Sequence, residues 1–411
     1  MRRLLALLTL VLFIGCGSDF EDFPAGTGGP TGPQAANDAY QALTSAPITV
    51  TTGQGVLRND PIPAPVTGFT NPTQGGTVQV NTDGSFNYTP LAGFQGADTF
   101  TYTITNGGGQ STATVTVNVA GTVRFVDNTA APGGNGGLNS RFDSLAVALL
   151  ASGPGDTIFI FRGDGTNNKY AGPVNLQNGQ RLIGEGSGLL LRTDVLAQTV
   201  IPQGAFPVLT GPVTMADGCT VQGLRIENSP GDAVTASGSD GGSILDCQLV
   251  NSGDNGIDID PIFGNWFIER NLINLTGPLG QGILATTRST LPAGSEARLV
   301  IAENTITNCT GEAIALAGEG NNSFTIQARD NMMSGNFVGA TFVCDAGDPS
   351  VVCLDIFGNV NDDVYELTRV NTATIFRVEQ LSMFEALNSG VRTTNPGGVP
   401  PTEAPEGFCG F

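Results

Sequence analysis

Along the second half of the chain, apolar residues come in short runs with period 2 rather than in long helical stretches, and the runs themselves repeat. The phrase Ile-x-Asx/Glu-Asn-x-Ile-x-Asn is clearest at Glu303-Asn304-Thr305-Ile306-Thr307-Asn308 and is closed by Ala313-Ile314-Ala315-Leu316. Its central apolar residue returns at Ile226, Leu249, Leu272, Ile306 and Met333, in steps of 23, 23, 34 and 27 residues. The closing phrase returns at Ala233-Val234, Gly256-Ile257, Gly282-Ile283, Ala313-Ile314 and Gly339-Ala340. Two phrases that share a period of roughly 20–40 residues indicate stacked repeats rather than a single globular core. Each phrase is one short strand long. Each repeat then supplies two or three strands, one coil of a parallel β-helix, and function must sit on its outer faces.

The first half alternates differently. Ala113, Val115, Val117 and Val119 share one strand face, and Phe100, Tyr102 and Ile104 share another, with Asn106-Gly107-Gly108-Gly109 as the hairpin turn between them. Asp83-Gly84 joins Thr77–Val80 to Phe86–Tyr88 in the same way. That density of strands predicts a β-sandwich over residues 36–120. Residues 144–151 form a short helix capped by Asp143 or Ser144, and Glu379 to Asn388 form a second one. The predicted fold class is all-β: an immunoglobulin-like sandwich, then a right-handed parallel β-helix over 121–390 with short capping helices, then a Pro/Gly-rich tail over 391–411.

Three stretches resemble known families. Met1-Arg2-Arg3, the apolar run Leu4 to Ile14 and Phe13-Ile14-Gly15-Cys16 are similar to a bacterial lipoprotein signal. The resemblance implies removal of residues 1–15, a lipid on Cys16 and a flexible tether over 16–35, placing the protein at a bacterial envelope membrane, the outer membrane or cell surface. Gly55-Val56-Leu57-Arg58-Asn59-Asp60, Asp83-Gly84-Ser85-Phe86-Asn87-Tyr88-Thr89-Pro90 and Gly93-Phe94-Gln95-Gly96-Ala97-Asp98-Thr99-Phe100-Thr101-Tyr102 look like a bacterial cadherin-like, immunoglobulin-like repeat. That family implies adhesion or spacing, and in some relatives calcium, for which Asp38, Asp60 and Asp98 are the matching acids; turn residues bonded to local backbone are the competing explanation. The helix followed by Gly155-Asp156-Thr157-Ile158-Phe159-Ile160 resembles the opening of pectate-lyase-like β-helices. Polysaccharide lyases and glycoside hydrolases are among the functions that this superfamily implies.

Charge and composition narrow these options. With 17 basic against 37 acidic residues the formal net charge is −20, which repels nucleic acid. There is no histidine, and Lys169 is the only lysine, so lyase chemistry needs an arginine as base. The candidate catalytic set is Asp258, Asp260 and Arg288, the two acids alternating with Ile257 and Ile259 so that both point outward. A non-catalytic sugar groove fits the same cluster, with Trp266 and Phe263 as stacking surfaces and Phe267 as core. Asn304, Asn331 and Asn359 align as a structural ladder. The preceding column, Asp246, Glu269, Glu303 and Asp330, stacks carboxylates that repel unless they are solvated, protonated or bridged by a cation such as calcium. Cys344 and Cys353 flank a turn loop and are the expected disulfide; the partners of Cys219, Cys247, Cys309 and Cys409 stay open. The leading expectation is a lipid-anchored adhesin that binds polysaccharide or a surface protein, against a calcium-assisted lyase or hydrolase and a purely structural envelope protein.

Overall fold

In a computed structural model the described residues are 31–410, except 45, 92–93, 193–196, 276–279, 289–291, 293, 321, 345–350, 363, 370–374 and 395–400. Cys16, the expected signal segment and most of the expected tether lie outside them. Among the described residues, no helix is long and apolar enough to cross a membrane.

The sandwich forms as the alternation predicts. One sheet holds Val66–Phe69, Gly96–Asn106, the first half of Gly109–Val126 and, parallel to the latter, Asp38–Thr44. The other holds Ile48–Val50, Phe86–Thr89 and Thr77–Val80. Between them Tyr40, Phe86 and Phe100 meet edge to face, with centroid separations of 4.8 and 5.7 Å. Such pairs add to the burial of three large apolar surfaces.

The solenoid is a parallel β-helix whose coils run through three parallel sheets. A representative coil passes Cys219–Gln222, Arg225–Glu227 and Val234–Ala236 before entering the next coil at Asp240–Leu245. Inward residues stack in columns. Ile226, Leu249, Ile273, Ile306 and Met333 form one, and Val234, Ile257, Ile283, Ile314 and Ala340 another. Every coil is therefore buried only against its neighbours. At the first corner, Asp246, Arg270, Glu303, Asp330 and Gly358 all adopt positive φ. Cys247 follows the first of these, and Asn271, Asn304, Asn331 and Asn359 follow the other four, each buried.

These asparagines satisfy the corner. Asn304 N–H donates to Asn331 Oδ1 (3.1 Å), and Asn331 N–H donates to Asn359 Oδ1 (2.9 Å). Their Nδ2 groups donate to the Ile268, Ile301 and Ala328 carbonyls of the coil before. The ladder extends further than the sequence suggested, to Asn271 at one end and Asn388, in the C-terminal helical cap, at the other.

One residue separates the expected register from the observed one. The pairing of Asp240–Leu245 with Phe263–Glu269 shifts by one position between Asp240 and Gly242, at a bulge containing Gly264 with φ +72°. A side chain at Gly264 would bring a Cβ within 2.7 Å of the Gly241 nitrogen, so glycine is required there. Three corrections follow. Ile273 rather than Leu272 is the core residue of its coil, and Leu272 is exposed. Trp266 is fully buried and Phe267 is exposed, the reverse of the expected assignment. Arg270 rather than Glu269 occupies the corner column.

The second finding about architecture is the strand Gly109–Val126. Its first half pairs with Gly96–Asn106 in the sandwich, while Val123 to Val126 pair with Thr157 to Ile160 in the first coil. Gly121, at φ +78°, turns the strand between the two without breaking its alternation. A separate core of Ala46, Val123, Phe125, Phe159, Phe161, Ile183 and Leu189 seals the joint. Helix Leu145–Ala151 then covers the first coil, with Ser144 capping it by accepting from the Val147 N–H.

The tail is ordered rather than irregular over its described part. Val391–Thr394 and Thr402–Ala404 each add a strand to the last coil. Cys353 bonds to Cys409, with Cα atoms 5.6 Å apart. This corrects the expected Cys344–Cys353 pair. Cys344 closes Val338–Cys344 in one sheet of the coil, whereas Cys353 lies in Val351–Phe357 of another, where the returning tail reaches it. Cys219, Cys247 and Cys309 are free and buried. Burial pushes the Cys247 and Cys309 thiols up to about 12, which makes them inert core residues.

Candidate functional site

Two clusters of carboxylates remain once the structural roles are assigned. The first lies in the sandwich. Asp38 begins Asp38–Thr44, and Asp60 follows the turn after Val56. The Tyr102 hydroxyl donates to Asp60 Oδ1 at 2.7 Å and lies 2.9 Å from the Ala36 and Val56 carbonyl oxygens. The Ala36 N–H also donates to Asp60 Oδ1. Asp38 Oδ2 and Asp60 Oδ2 are both buried without a hydrogen-bond partner. Acceptors thus outnumber donors in a water-poor pocket. Burial first, and the Asp60 charge second, push the Asp38 carboxyl up to about 7.

Such a surplus of buried oxygen acceptors is what a hard cation neutralises. The donor set, two carboxylates and backbone carbonyls, fits calcium chemically. Asp98 does not belong to it. Its Oδ1 accepts from the Gln74 N–H (2.8 Å) and its Oδ2 from the Tyr88 hydroxyl (2.9 Å), so it pins the sandwich as a buried structural acceptor. Local spacing cannot separate the three acids, because Gln74 and Tyr88 approach Asp98 only in the fold.

The corner column is laced with arginines. Arg270 Nε donates to Asp246 at 2.7 Å and Arg270 Nη1 to Glu269 at 2.9 Å. Arg329 spans Glu303 (3.3 Å) and Asp330 (3.4 Å). Two guanidinium groups from the chain itself contact the four acids and offset about half of their charge. Among the described residues, no group of three or more Asp, Glu, Cys or His is arranged to hold a metal.

The second cluster is on the solenoid. Asp258 sits between Thr235 and Leu284 in an outward column of one sheet, and Asp260 follows at the corner. Arg288 pairs with both oxygens of Asp260, and the Thr286 hydroxyl donates to its Oδ1. Asp258 is half-buried, and its Oδ1 has no partner. Burial, followed by the charges of Asp232, Asp260 and Asp254, pushes Asp258 up to about 7. Burial acts on Asp260 too, but the hydrogen bonds from Arg288 and Thr286 overcome it and hold that carboxyl below its usual range. The three residues expected to act together are therefore brought together, with the two acids driven in opposite directions.

Asp232 and Gln281 extend this face, though the sequence had not marked them. The Asn255 N–H donates to Asp232 Oδ1, the Gln281 N–H donates to Asn255 Oδ1, and Gln281 Nε2 donates to Glu312. Their common position just before the Gly-Ile phrase was the available signal. The aromatic patch is reduced to Phe263 and Phe267, since Trp266 points into the core and donates to the Phe263 carbonyl.

The family profile described as the bacterial cadherin-like domain matches residues 30–121, spanning the sandwich and the start of the junction strand. No curated protein and no solved structure matches the chain.

Proposed function

We propose that this is an exported, lipid-anchored bacterial surface protein that works by adhesion, binding a carbohydrate or matrix partner along its solenoid while the cadherin-like domain spaces it from the membrane. The observation that carries this reading is the shared strand Gly109–Val126, which makes an adhesion-type domain and a long repeat surface one hydrogen-bonded unit. A stiff spacer holding an extended face suits capture of a polymer. A glycan-array screen of the soluble chain, with calcium and with chelator, tests it. Retention of polysaccharide supports the proposal, and an array silent in both conditions removes it.

Calcium at Asp38 and Asp60 would stiffen the membrane-proximal end of this rod, with the Ala36 and Val56 carbonyls as further oxygen donors. The pH dependence has a defined sign. The carboxyl of Asp38 is raised to about 7 in the fold, so its contribution to stability is complete below the ordinary value of 3.8 and is lost as pH rises through about 7. Calcium competes with that proton. Millimolar calcium is therefore expected to raise the melting temperature clearly at pH 8 and much less at pH 5.5. Asp60→Asn should abolish the shift. Equal shifts at both pH values, or none at pH 8, would remove the site.

One observation favours a second function, glycoside hydrolysis or polysaccharide lysis on the solenoid face. Asp258 is held protonated up to about 7 while Asp260 is held ionised, and such divergence is how paired carboxylates divide acid from base work. Under that reading Asp258→Asn lowers product release by about 100-fold or more without changing the melting temperature. Wild-type protein that releases no reducing end or unsaturated product from any polysaccharide it binds would end it.

A further inference from the structure

An arginine with no acidic partner among the described residues lies at the joint between the two domains. A cavity of about 490 Å³ opens there, between Pro47 and Pro90 of the sandwich and the loop bearing Asn135 and Asn139. Its described lining contains one cation, Arg124, and no carboxylate, in a chain with 37 acidic residues. Arg124 belongs to the junction strand, opposite Ile158. Its Nε is buried without a hydrogen-bond partner, and it forms no ion pair among the described residues. Arg141, Arg225, Arg270, Arg288 and Arg329 are all paired with acids. A partly buried guanidinium with no acid beside it has donors left to offer an arriving anion.

We infer that this junction cavity binds a sugar unit carrying one carboxylate, with Arg124 holding the acid group. The clause about ligand class rests on the carbohydrate-binding proposal above; the site does not share residues with the Asp258 face. A single guanidinium balances one negative charge, whereas a dianionic phosphate in so acidic a molecule would lack a second cation. Side-chain amides of Gln95, Asn135 and Asn139 suit hydroxyl groups, and Pro47, Pro90 and Leu138 provide flat apolar walls for a pyranose ring. The volume suits one or two sugar units.

Isothermal titration of the full soluble chain with galacturonate, methyl galactoside and inorganic phosphate tests the inference. Galacturonate should bind at least about 10-fold more tightly than the neutral sugar, the discrimination of one charge-assisted pair. Arg124→Gln should erase that preference. Asn139→Asp, at an exposed loop position, should weaken galacturonate about 5-fold or more beyond any effect it has on the neutral sugar. Equal binding of acid and neutral sugars, tighter binding of phosphate, or no binding of galacturonate would overturn it. A polysaccharide retained equally by wild type and Arg124→Gln would sink this site alone and leave the solenoid-face adhesin standing, whereas a wild-type chain that retains no glycan would remove both.

Discussion

Asn331→Ala is expected to destabilise the solenoid by about 3 kcal/mol, the cost of leaving buried backbone groups without partners. Asn331 Oδ1 accepts from both the N–H and the Nδ2 of Asn304, and its Nδ2 donates to the Ile301 carbonyl and to Asn359 Oδ1. Truncation removes all four bonds at a residue 1 % exposed, where water cannot substitute. A matched control separates this from any corner effect. Asn308 occupies an exposed corner at φ 58° and bonds only outward, to Asn274 at 3.1 Å. Asn308→Gly keeps the backbone conformation accessible and should change stability by no more than about 0.5 kcal/mol. Urea unfolding of both variants checks the pair. Equal midpoints for Asn331→Ala and wild type would mean that the ladder is decoration.

That ladder was legible in the sequence because a column of identical residues at a fixed offset has few physical explanations. The same holds for the apolar columns and for the sandwich hairpins at Asp83-Gly84 and Asn106-Gly109. What could not be read is instructive. A bulge adds one residue without changing composition, and both Leu272 and Ile273 are apolar, so the slip at Gly264 left no trace in the pattern. It nevertheless inverted Trp266 and Phe267 and exchanged Glu269 for Arg270 in the corner column. The exchange matters chemically, since an arginine among acids offsets part of the charge that the expected column would have stacked. Cys409 was hidden for another reason. Its approach to Cys353 depends on the path of the tail over the last coil, including the strand Thr402–Ala404, and no local spacing encodes that path. Asp38, Asp60 and Asp98 looked alike because the donors that distinguish them come from distant strands. The domain boundary was misleading in a subtler way. Composition changes near Gly121, but the odd-numbered alternation runs on from Val117 and Val119 into Val123 and Phe125, and all four are buried.

Phe125→Ala is expected to uncouple the two domains. The ring is fully buried, lies 5.9 Å from Phe159 and 6.1 Å from Phe161 between centroids, and belongs to the core that joins Ala46 of the sandwich to the first coil. Removing a buried phenylalanine costs about 3–5 kcal/mol, through lost burial and the cavity left behind. The loss should be local. The sandwich keeps its own core of Tyr40, Phe86, Phe100 and Tyr102, and the later coils are supported by their neighbours. Native-state hydrogen exchange resolves the difference. Amides of Val123 to Val126 and Thr157 to Ile160 should exchange at least about 100-fold faster, while those of Val115 to Val119 keep wild-type protection. Uniformly faster exchange would mean that sandwich and solenoid unfold as one unit. Unchanged exchange would mean that the joint is held by strand pairing alone. Only the local outcome makes the junction core a distinct coupling element, and it ties the adhesion proposal to a measurable property. Under that proposal, tension between polymer and membrane would run through Gly109–Val126, and Phe125 is where that strand packs against both the sandwich residue Ala46 and the first coil.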